Sequence, residues 1–465
     1  MIGGVVLFCS YIFVLLFLPV TVAGYFLLNK LHPKVGQCWL LAASLYFYGY
    51  FNVSYLFLLL GSLLVNYLIG LILAKYKVPL FFAAGIIINL LLLGYCKYYD
   101  FFVANINSLF GTDLVLKHLL LPLGISFFTF QQISYLYDVY HDVLKEKYSP
   151  LTYSLFVTFF PQLVAGPIVL ANEMMPQFAN PENQKLNTKN MSCGIFIFAL
   201  GLAKKMLIAD EMAPFADQLF ALTEPGVLDS LLGSLAYCFQ IYFDFSGYCD
   251  MAIGIGMMFN IMLPVNFSSP YRSGDIQEFW RRWHVTLGRF LSQFVYFPLG
   301  GSRKGEFRTC CNLLFTFFVS GLWHGANWMM VLWGVLHGIA MMIHRAWRKI
   351  VKKEMPRWRG ITVTFLFVWL VWIFFRAENM EQAMRVYSGF TDFSPEKIAG
   401  FAEHFSFRDA MLYLVSAGII FFLPPANSFR ETFKPAPWNL IAAIVLLICS
   451  IFCFNKISPF IYFNF

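Results

Sequence analysis

The sequence predicts an all-α, polytopic membrane protein, and three observations carry that prediction. Hydrophobic residues make up 59% of the 465-residue chain, charged residues only 12%, and the mean hydropathy is +0.66. A soluble domain carries roughly 25% charged residues, so this chain lacks the polar surface to cover a water-facing core of its size. The apolar residues also fall in continuous runs near the ~20 residues a helix needs to cross the hydrocarbon core, without the alternation of a transmembrane barrel. Disorder, collagen-like repeats and a secreted disulfide scaffold fail on the same composition. The net charge of +8 sits in short clusters between apolar runs. The positive-inside rule accounts for it, and no nucleic-acid partner is expected.

In chain order the expected spans are 5–28, 37–52, 54–74, 79–97, 119–137, 150–169, 190–208, 310–328, 330–344, 360–377, 409–425 and 438–455. The first run lacks a charged n-region and a small-residue cleavage site, so it reads as a retained span rather than a signal peptide. The runs 37–52 and 330–344 are short enough for tilt, a break or a re-entrant course. The stretch 228–264 is longer, and Gly247, Gly254 and Gly256 favour two short crossings there. With short or re-entrant segments included, 11–13 membrane helices are expected in a single integral domain, 1–465. Lys30 and Lys34, Lys75 and Lys77, and Lys145 and Lys147 mark alternate loops, which places the N-terminus outside. Lys204 and Lys205 close a further span on the cytoplasmic side.

Two richer basic clusters should face the same side. The segment 272–309 carries Arg272, Arg281, Arg282, Arg289, Arg303, Lys304 and Arg308 against Asp275, Glu278 and Glu306. The segment 345–359 carries Arg345, Arg348, Lys349, Lys352, Lys353, Arg357 and Arg359 against Glu354. In the first cluster, Phe279, Trp280, Trp283, Phe290, Phe294, Tyr296 and Phe297 lie among the arginines. That mixture reads as amphipathic or re-entrant structure at the membrane face, or as plain interfacial anchoring.

Polar groups inside apolar stretches are expensive, so each is a candidate for function. The stretch Ser320–Trp328 holds His324 between Gly321 and Gly325, with Trp323 before it and Asn327 after it. A buried neutral imidazole can take a proton from a hydroxyl near neutral pH; packing by hydrogen bonds across helices is the structural alternative. His337, thirteen residues on, and His344 beside Arg345 fit that alternative better. The stretch Phe279–His284 offers His284 and the pair Arg281 and Arg282, which suits the phosphates of a nucleotide thioester or a phosphopantetheine arm. Equally, those arginines suit lipid headgroups. Asp244 and Asp250 lie six apart in an apolar stretch and need partners or a cavity. Unpaired acids and broken helices are also what an ion-coupled transporter uses. No metal site is expected: the eight histidines show no HxxxH spacing with a nearby acid, and no P-loop, dinucleotide fingerprint or GxSxG elbow occurs. The ten cysteines form no CxxC pair and read as small buried hydrophobes.

An ordered series of motifs resembles the membrane-bound O-acyltransferases, most of all their bacterial alginate O-acetyltransferase branch. The series comprises Leu121–Gln131, Phe159–Pro167, Tyr242–Asp250, Leu263-Pro264-Val265-Asn266-Phe267, Phe279–His284, Tyr296–Arg303, Leu322-Trp323-His324-Gly325 and Phe374-Phe375-Arg376-Ala377. It places the motif-bearing core at 121–377. The resemblance implies a crown of tilted helices around a thinned centre, with His324 as the central histidine and His284 as a second required polar residue. It implies a bacterial cytoplasmic-membrane acetyltransferase without a bound cofactor, using acetyl-CoA or an acylated carrier protein as donor. Arg281, Arg282, Trp323 and Asn327 would bind or position the donor, and Trp323, Trp328 and Trp333 would line or brace the passage. Asp244, Asp250 and His337 would be structural or secondary polar groups. The resemblance also implies an extracytoplasmic SGNH-type partner that would pass acetyl from its serine to polysaccharide or peptidoglycan; segments 170–189 and 378–408, too short to recognise a polymer alone, fit an external partner. D-alanyl transfer toward teichoic acid from a carrier protein is the alternative within the family, and a transporter the alternative outside it.

Overall fold

The protein is seen in a computed structural model that describes residues 8–144, 146–351, 355–454 and 460–461. Among the described residues the structure is helical, and the chain divides into two compact units. Val5 to Leu7 of the first expected span lie outside the described residues, as do Lys145, Lys352, Lys353 and Glu354 of the basic clusters.

The first unit comprises 1–202, 248–264 and 429–454. Its helices are joined by minimal turns written into the sequence. His32 is extended, its ring accepts from Lys34 N–H (3.1 Å), and Pro33 opens the helix Pro33–Phe51. Asn52 repeats the device, accepting from Ser54 N–H at 2.8 Å and starting Val53–Tyr76. Lys77 ends that helix in the left-handed region and Pro79 opens the next, as proline does at a first helical position. Two spans are clasped by a reciprocal amide pair, Asn89 to Asn66 at 2.6 Å and Asn66 to Asn89 at 3.3 Å. Both asparagines are buried, which is how polar residues join helices away from water.

The second unit comprises 203–247, 265–428 and 455–465. At its heart the helices Glu306–His324 and Trp328–Ile350 form an antiparallel hairpin. They approach closely because Gly321 and Gly334 face each other: a Cβ on Gly321 would overlap the Met330 carbonyl oxygen, and one on Gly334 the Phe317 carbonyl oxygen. Arg357–Arg376 packs beside this hairpin. The segment between the long helix Val227–Met258 and the hairpin is built from short pieces, including Ile276–Trp280 and Val285–Leu291.

Among the described residues six helices are long and apolar enough to cross a membrane: Phe13–Leu31, Val53–Tyr76, Pro79–Phe110, Thr188–Ala221, Trp328–Ile350 and Arg357–Arg376. A seventh span arises if the pair Pro395–His404 and Phe407–Phe422, bent by 87°, counts as one. The protein is thus an integral, polytopic membrane protein. The outward faces of these spans carry large apolar side chains such as Leu16, Leu27, Phe57, Leu64 and Leu91, as lipid contact requires.

Several elements differ from expectation. The stretch 228–264 is not broken at its glycines: Val227–Met258 is one helix of 32 residues. Gly254 instead admits another helix, since a Cβ there would sit 2.5 Å from the Gly194 carbonyl oxygen. Lys204 and Lys205 do not end a span, because Thr188–Ala221 runs through them by way of a π-turn at Lys204–Ala209. The runs 37–52 and 330–344 belong to helices of 19 and 23 residues that extend into polar flanks. Conversely, 150–169 breaks at Phe159, ahead of Pro161, and 119–137 becomes helical only from Ile125. The aromatic residues of 272–309 are divided: Phe279, Trp283 and Phe290 are buried, Trp280, Phe294 and Tyr296 half-buried, and Phe297 exposed.

Candidate active site

His324 is the last residue of Glu306–His324, where the chain leaves the helix through extended Gly325. The glycine contact at Gly321 and Gly334 holds that helix end against its partner, so the imidazole is fixed by backbone packing. Its ring is buried among Trp323, Trp333 and Phe375, with centroids at 4.9, 5.0 and 5.3 Å.

His284 is brought to the same place from forty residues upstream, its ring centroid 6.1 Å from that of His324. It precedes the helix Val285–Leu291 with φ +44°, a left-handed conformation uncommon for a residue with a Cβ. Such strain persists only where the surroundings impose it. Here Val285 N–H donates to the Asn266 carbonyl (3.0 Å) and Ser268 N–H to the Arg282 carbonyl (3.0 Å), pinning the turn on both sides. The Asn266 side chain completes the clamp. Its Oδ1 accepts from Thr286 N–H (3.2 Å) and Thr286 Oγ1 (2.9 Å), and lies 3.1 Å from His284 Nδ1. Because the Thr286 N–H can only donate, that Asn266 atom must be oxygen, and His284 Nδ1 must carry a proton. In a neutral ring Nε2 then carries the lone pair. Asn266 is fully buried. The sequence places it in a motif but gives it no role, because nothing local links it to a histidine eighteen residues later.

Beside Trp280 opens a cavity of about 930 Å³. Among the described residues its wall includes Arg281, Arg289, Arg345, Arg348, Lys349 and His344, and no carboxylate. Glu306 bonds two of these groups, Arg345 at 2.7 and 2.9 Å and Lys349 at 2.7 Å, and Asp275 lies 3.6 Å from His344 Nε2. Those hydrogen bonds, Arg345 first, hold the Glu306 carboxyl down at about 2. Of the two neighbouring arginines only Arg281 lines the cavity. Arg282 pairs with Glu278 (2.7 Å) and donates to the Ser268 carbonyl (3.2 Å), bracing the turn that holds His284.

The other candidates fall out as follows. Trp323 is buried 5.8 Å from the His284 ring. Trp333 is buried against His324, whereas Trp328 is exposed. Asn327 is exposed and caps the following helix, accepting from Met330 N–H at 2.9 Å. Asp244 is buried and paired with Lys205 (2.7 Å), which also holds Asp210 at 2.6 Å. The π-turn brings Lys205 and Asp210, five residues apart, onto one side. Asp250 belongs to the first unit. His337 is buried within the second unit, behind Trp280 and Trp333.

Comparison with known proteins decides the family. The model described as "MBOAT, membrane-bound O-acyltransferase family" matches residues 127–381. The chain belongs to the membrane-bound O-acyltransferase family. It is 47% identical over 423 residues to the peptidoglycan O-acetyltransferase of Helicobacter pylori, covering 83% of this chain and 80% of that protein. It is 40% identical over 396 residues to the probable alginate O-acetylase AlgI of Pseudomonas aeruginosa, covering 83% and 75%. The teichoic acid D-alanyltransferase of Streptococcus thermophilus is 29% identical over 295 residues, covering 57% and 69%. This protein is therefore a membrane acyltransferase. Every residue of the two-histidine cluster lies within the matched region of the acyltransferase.

Proposed function

We propose that this acyltransferase is an O-acetyltransferase of the bacterial cytoplasmic membrane. It takes acetyl from a cytoplasmic thioester, acetyl-CoA or an acylated carrier protein, and moves it toward an extracytoplasmic polysaccharide, peptidoglycan or an alginate-like exopolymer. The observation that carries the reading is the pair of buried imidazoles, 6.1 Å apart, next to a cavity walled by cations. Higher identity to the two O-acetyl-transferring relatives than to the D-alanyltransferase supports acetyl over D-alanyl.

In the proposed reaction the cationic cavity receives the anionic part of the donor, with Arg281 on its phosphates. The acceptor hydroxyl gives its proton to His324 as its oxygen bonds to the thioester carbonyl carbon. The tetrahedral intermediate then collapses, the C–S bond breaks, and the thiolate takes the proton back from His324. His284 positions the donor: with Nδ1–H directed at Asn266, neutral Nε2 can accept a hydrogen bond from the donor's amide N–H beside the thioester but cannot donate one to an oxyanion. Trp323 and Trp333 hold the two imidazoles apart from water. The acceptor is the serine of an extracytoplasmic SGNH-type partner, which forwards the acetyl group to polymer.

The test is transfer from radiolabelled acetyl-CoA in membranes, comparing intact protein with His324→Ala at matched expression, with the partner supplied. Label on partner or polymer only with intact His324 supports the reading. Equal transfer by both proteins removes His324 from its role. No transfer by either, repeated with an acylated carrier protein, overturns the reading in favour of transport.

A further inference from the structure

His337 has no part in the reaction just described, yet it is a buried polar group of the second unit set among aromatic rings. It is wholly buried, and neither Nδ1 nor Nε2 has a hydrogen-bond partner among the described residues. Six aromatic rings surround it within 6.5 Å: Trp280 and Trp333 at 4.9 Å, Phe367 at 5.3 Å, and Phe279, Phe317 and Trp372 farther out. The buried indole nitrogens of Trp280 and Trp333 lack partners as well. An unsatisfied buried donor or acceptor costs roughly 1–3 kcal/mol, so three side chains left this way in one cluster call for a ligand that bonds them.

Their order in space says which kind. Trp280 lines the cationic cavity. His337 packs on both Trp280 and Trp333 at 4.9 Å, those two indoles touch each other at 5.7 Å, and His324 packs on Trp333 at 5.0 Å. The orphaned groups therefore form a triad with Trp280 on the cationic cavity and Trp333 on the central histidine. Each indole offers one N–H, and a neutral imidazole offers one donor and one acceptor. A chain of secondary amides matches that set, its carbonyls accepting from indole and its N–H groups donating to imidazole. A phosphate would suit the arginines at the mouth and would gain nothing from apolar rings farther in.

We infer that His337, with Trp280, binds the amide groups of the donor's pantetheine arm and sets the depth at which its thioester meets His324. The inference rests on the thioester-transfer reading and deepens it. Pantetheine is shared by coenzyme A and by acylated carrier proteins, so His337 reads the arm and is indifferent to its carrier.

The experiment measures KM and kcat of wild type, His337→Phe, His337→Gln and Trp280→Phe in membranes at matched expression. Three donors are used: acetyl-CoA, an acetylated carrier protein, and ethyl thioacetate, which has no amides. His337→Phe keeps the ring and removes both nitrogens. Its KM should rise about tenfold for each pantetheine donor that wild type uses, as loss of a buried hydrogen bond predicts, with kcat within about twofold. Ethyl thioacetate should be turned over equally by wild type and variant, and His337→Gln should recover most of the lost affinity. Trp280→Phe should shift KM in the same direction, which keeps the inference testable if His337→Phe does not insert. The donor wild type accepts identifies the carrier.

An equal loss with ethyl thioacetate overturns the inference, as does a fall in kcat at constant KM. A defect that His337→Gln leaves unrepaired, accompanied by a lower Tm, assigns His337 to packing or to a buried water. Transfer that needs His324 but shows unchanged donor KM in His337→Phe and Trp280→Phe defeats this inference alone. Wild-type protein that transfers from none of the donors defeats the acetyltransferase reading with it.

Discussion

Replacing Asn266 by alanine removes one oxygen that serves three donors: the Thr286 N–H, the Thr286 hydroxyl and His284 Nδ1–H. Two consequences separate cleanly. The threonine bonds hold the turn, and leaving a buried donor unmet costs about 1–3 kcal/mol, so Tm should fall by several degrees. The histidine bond selects the tautomer. If it is worth about 1–1.5 kcal/mol, a net value usual for a buried hydrogen bond, its loss lets the Nδ1–H form fall by about tenfold relative to the alternative. Transfer efficiency should drop accordingly, by about 5- to 13-fold in kcat/KM. The assay is a double-mutant cycle on acetyl transfer with His284→Ala. If Asn266 acts through His284, Asn266→Ala should cost less than about twofold once the imidazole is gone, although the Tm loss persists. A full 10-fold loss in the His284→Ala background would refute the argument and leave Asn266 a merely structural clamp.

Other changes have outcomes of equal sharpness. Gly321→Ala or Gly334→Ala pushes a Cβ into a facing carbonyl, and should lower stability by about 1–3 kcal/mol, read as Tm in detergent, with transfer lost as the His324 helix end moves. Lys205→Met leaves two buried carboxylates without their shared cation, a loss of about 3–5 kcal/mol by analogy with broken buried pairs, visible as a lower yield of folded protein. The Glu306 contribution should be insensitive to pH across the working range. Its folded-state carboxyl lies at about 2, below the unfolded value, so its stabilisation is fully present above the unfolded value and is lost only as pH falls through about 2. A Tm that changed between pH 6 and 8 in wild type but not in Glu306→Gln would contradict this.

What the sequence discloses of this molecule depends on how local each signal is. The membrane class follows from composition, and His324 stands out because one ionisable ring between glycines contrasts with its apolar neighbours. The cap at Asn52 and the stop at Pro79 are local too. The continuity of Val227–Met258 is not, since Gly254 suggests a break until its contact with Gly194, sixty residues away, is known. Lys205 resembles a flanking charge because a π-turn leaves no mark in hydropathy, and its two aspartates become partners only once that turn has formed. The role of Asn266 is hidden for the same reason, and its chemistry exists only when His284 adopts a positive φ. The polar groups that organise the site are therefore the ones least visible in sequence, because tertiary contacts decide what each of them bonds.

Arg281 and Arg282 put that principle to its narrowest test, since adjacent, chemically identical residues should fail in different ways. Arg281 faces the cavity, and Arg282 is spent on Glu278 and the Ser268 carbonyl. Glu278 gathers Arg282, Arg357 (3.3 Å) and the Gly274 N–H (2.6 Å). Burial pushes its carboxyl up, but those donors outweigh burial and hold it below the usual range. Arg281→Gln should therefore raise the donor KM while leaving Tm and kcat nearly unchanged, the signature of lost ground-state binding. Raising salt from 50 to 300 mM should weaken donor binding in wild type more than in Arg281→Gln, because an exposed cation acts through a screened field. Arg282→Gln should do the reverse: it loosens the turn carrying His284, so kcat and Tm fall together while donor KM moves little. Matching phenotypes at the two positions would mean that the pair acts as one diffuse basic patch, and the division of labour drawn from the geometry would be wrong.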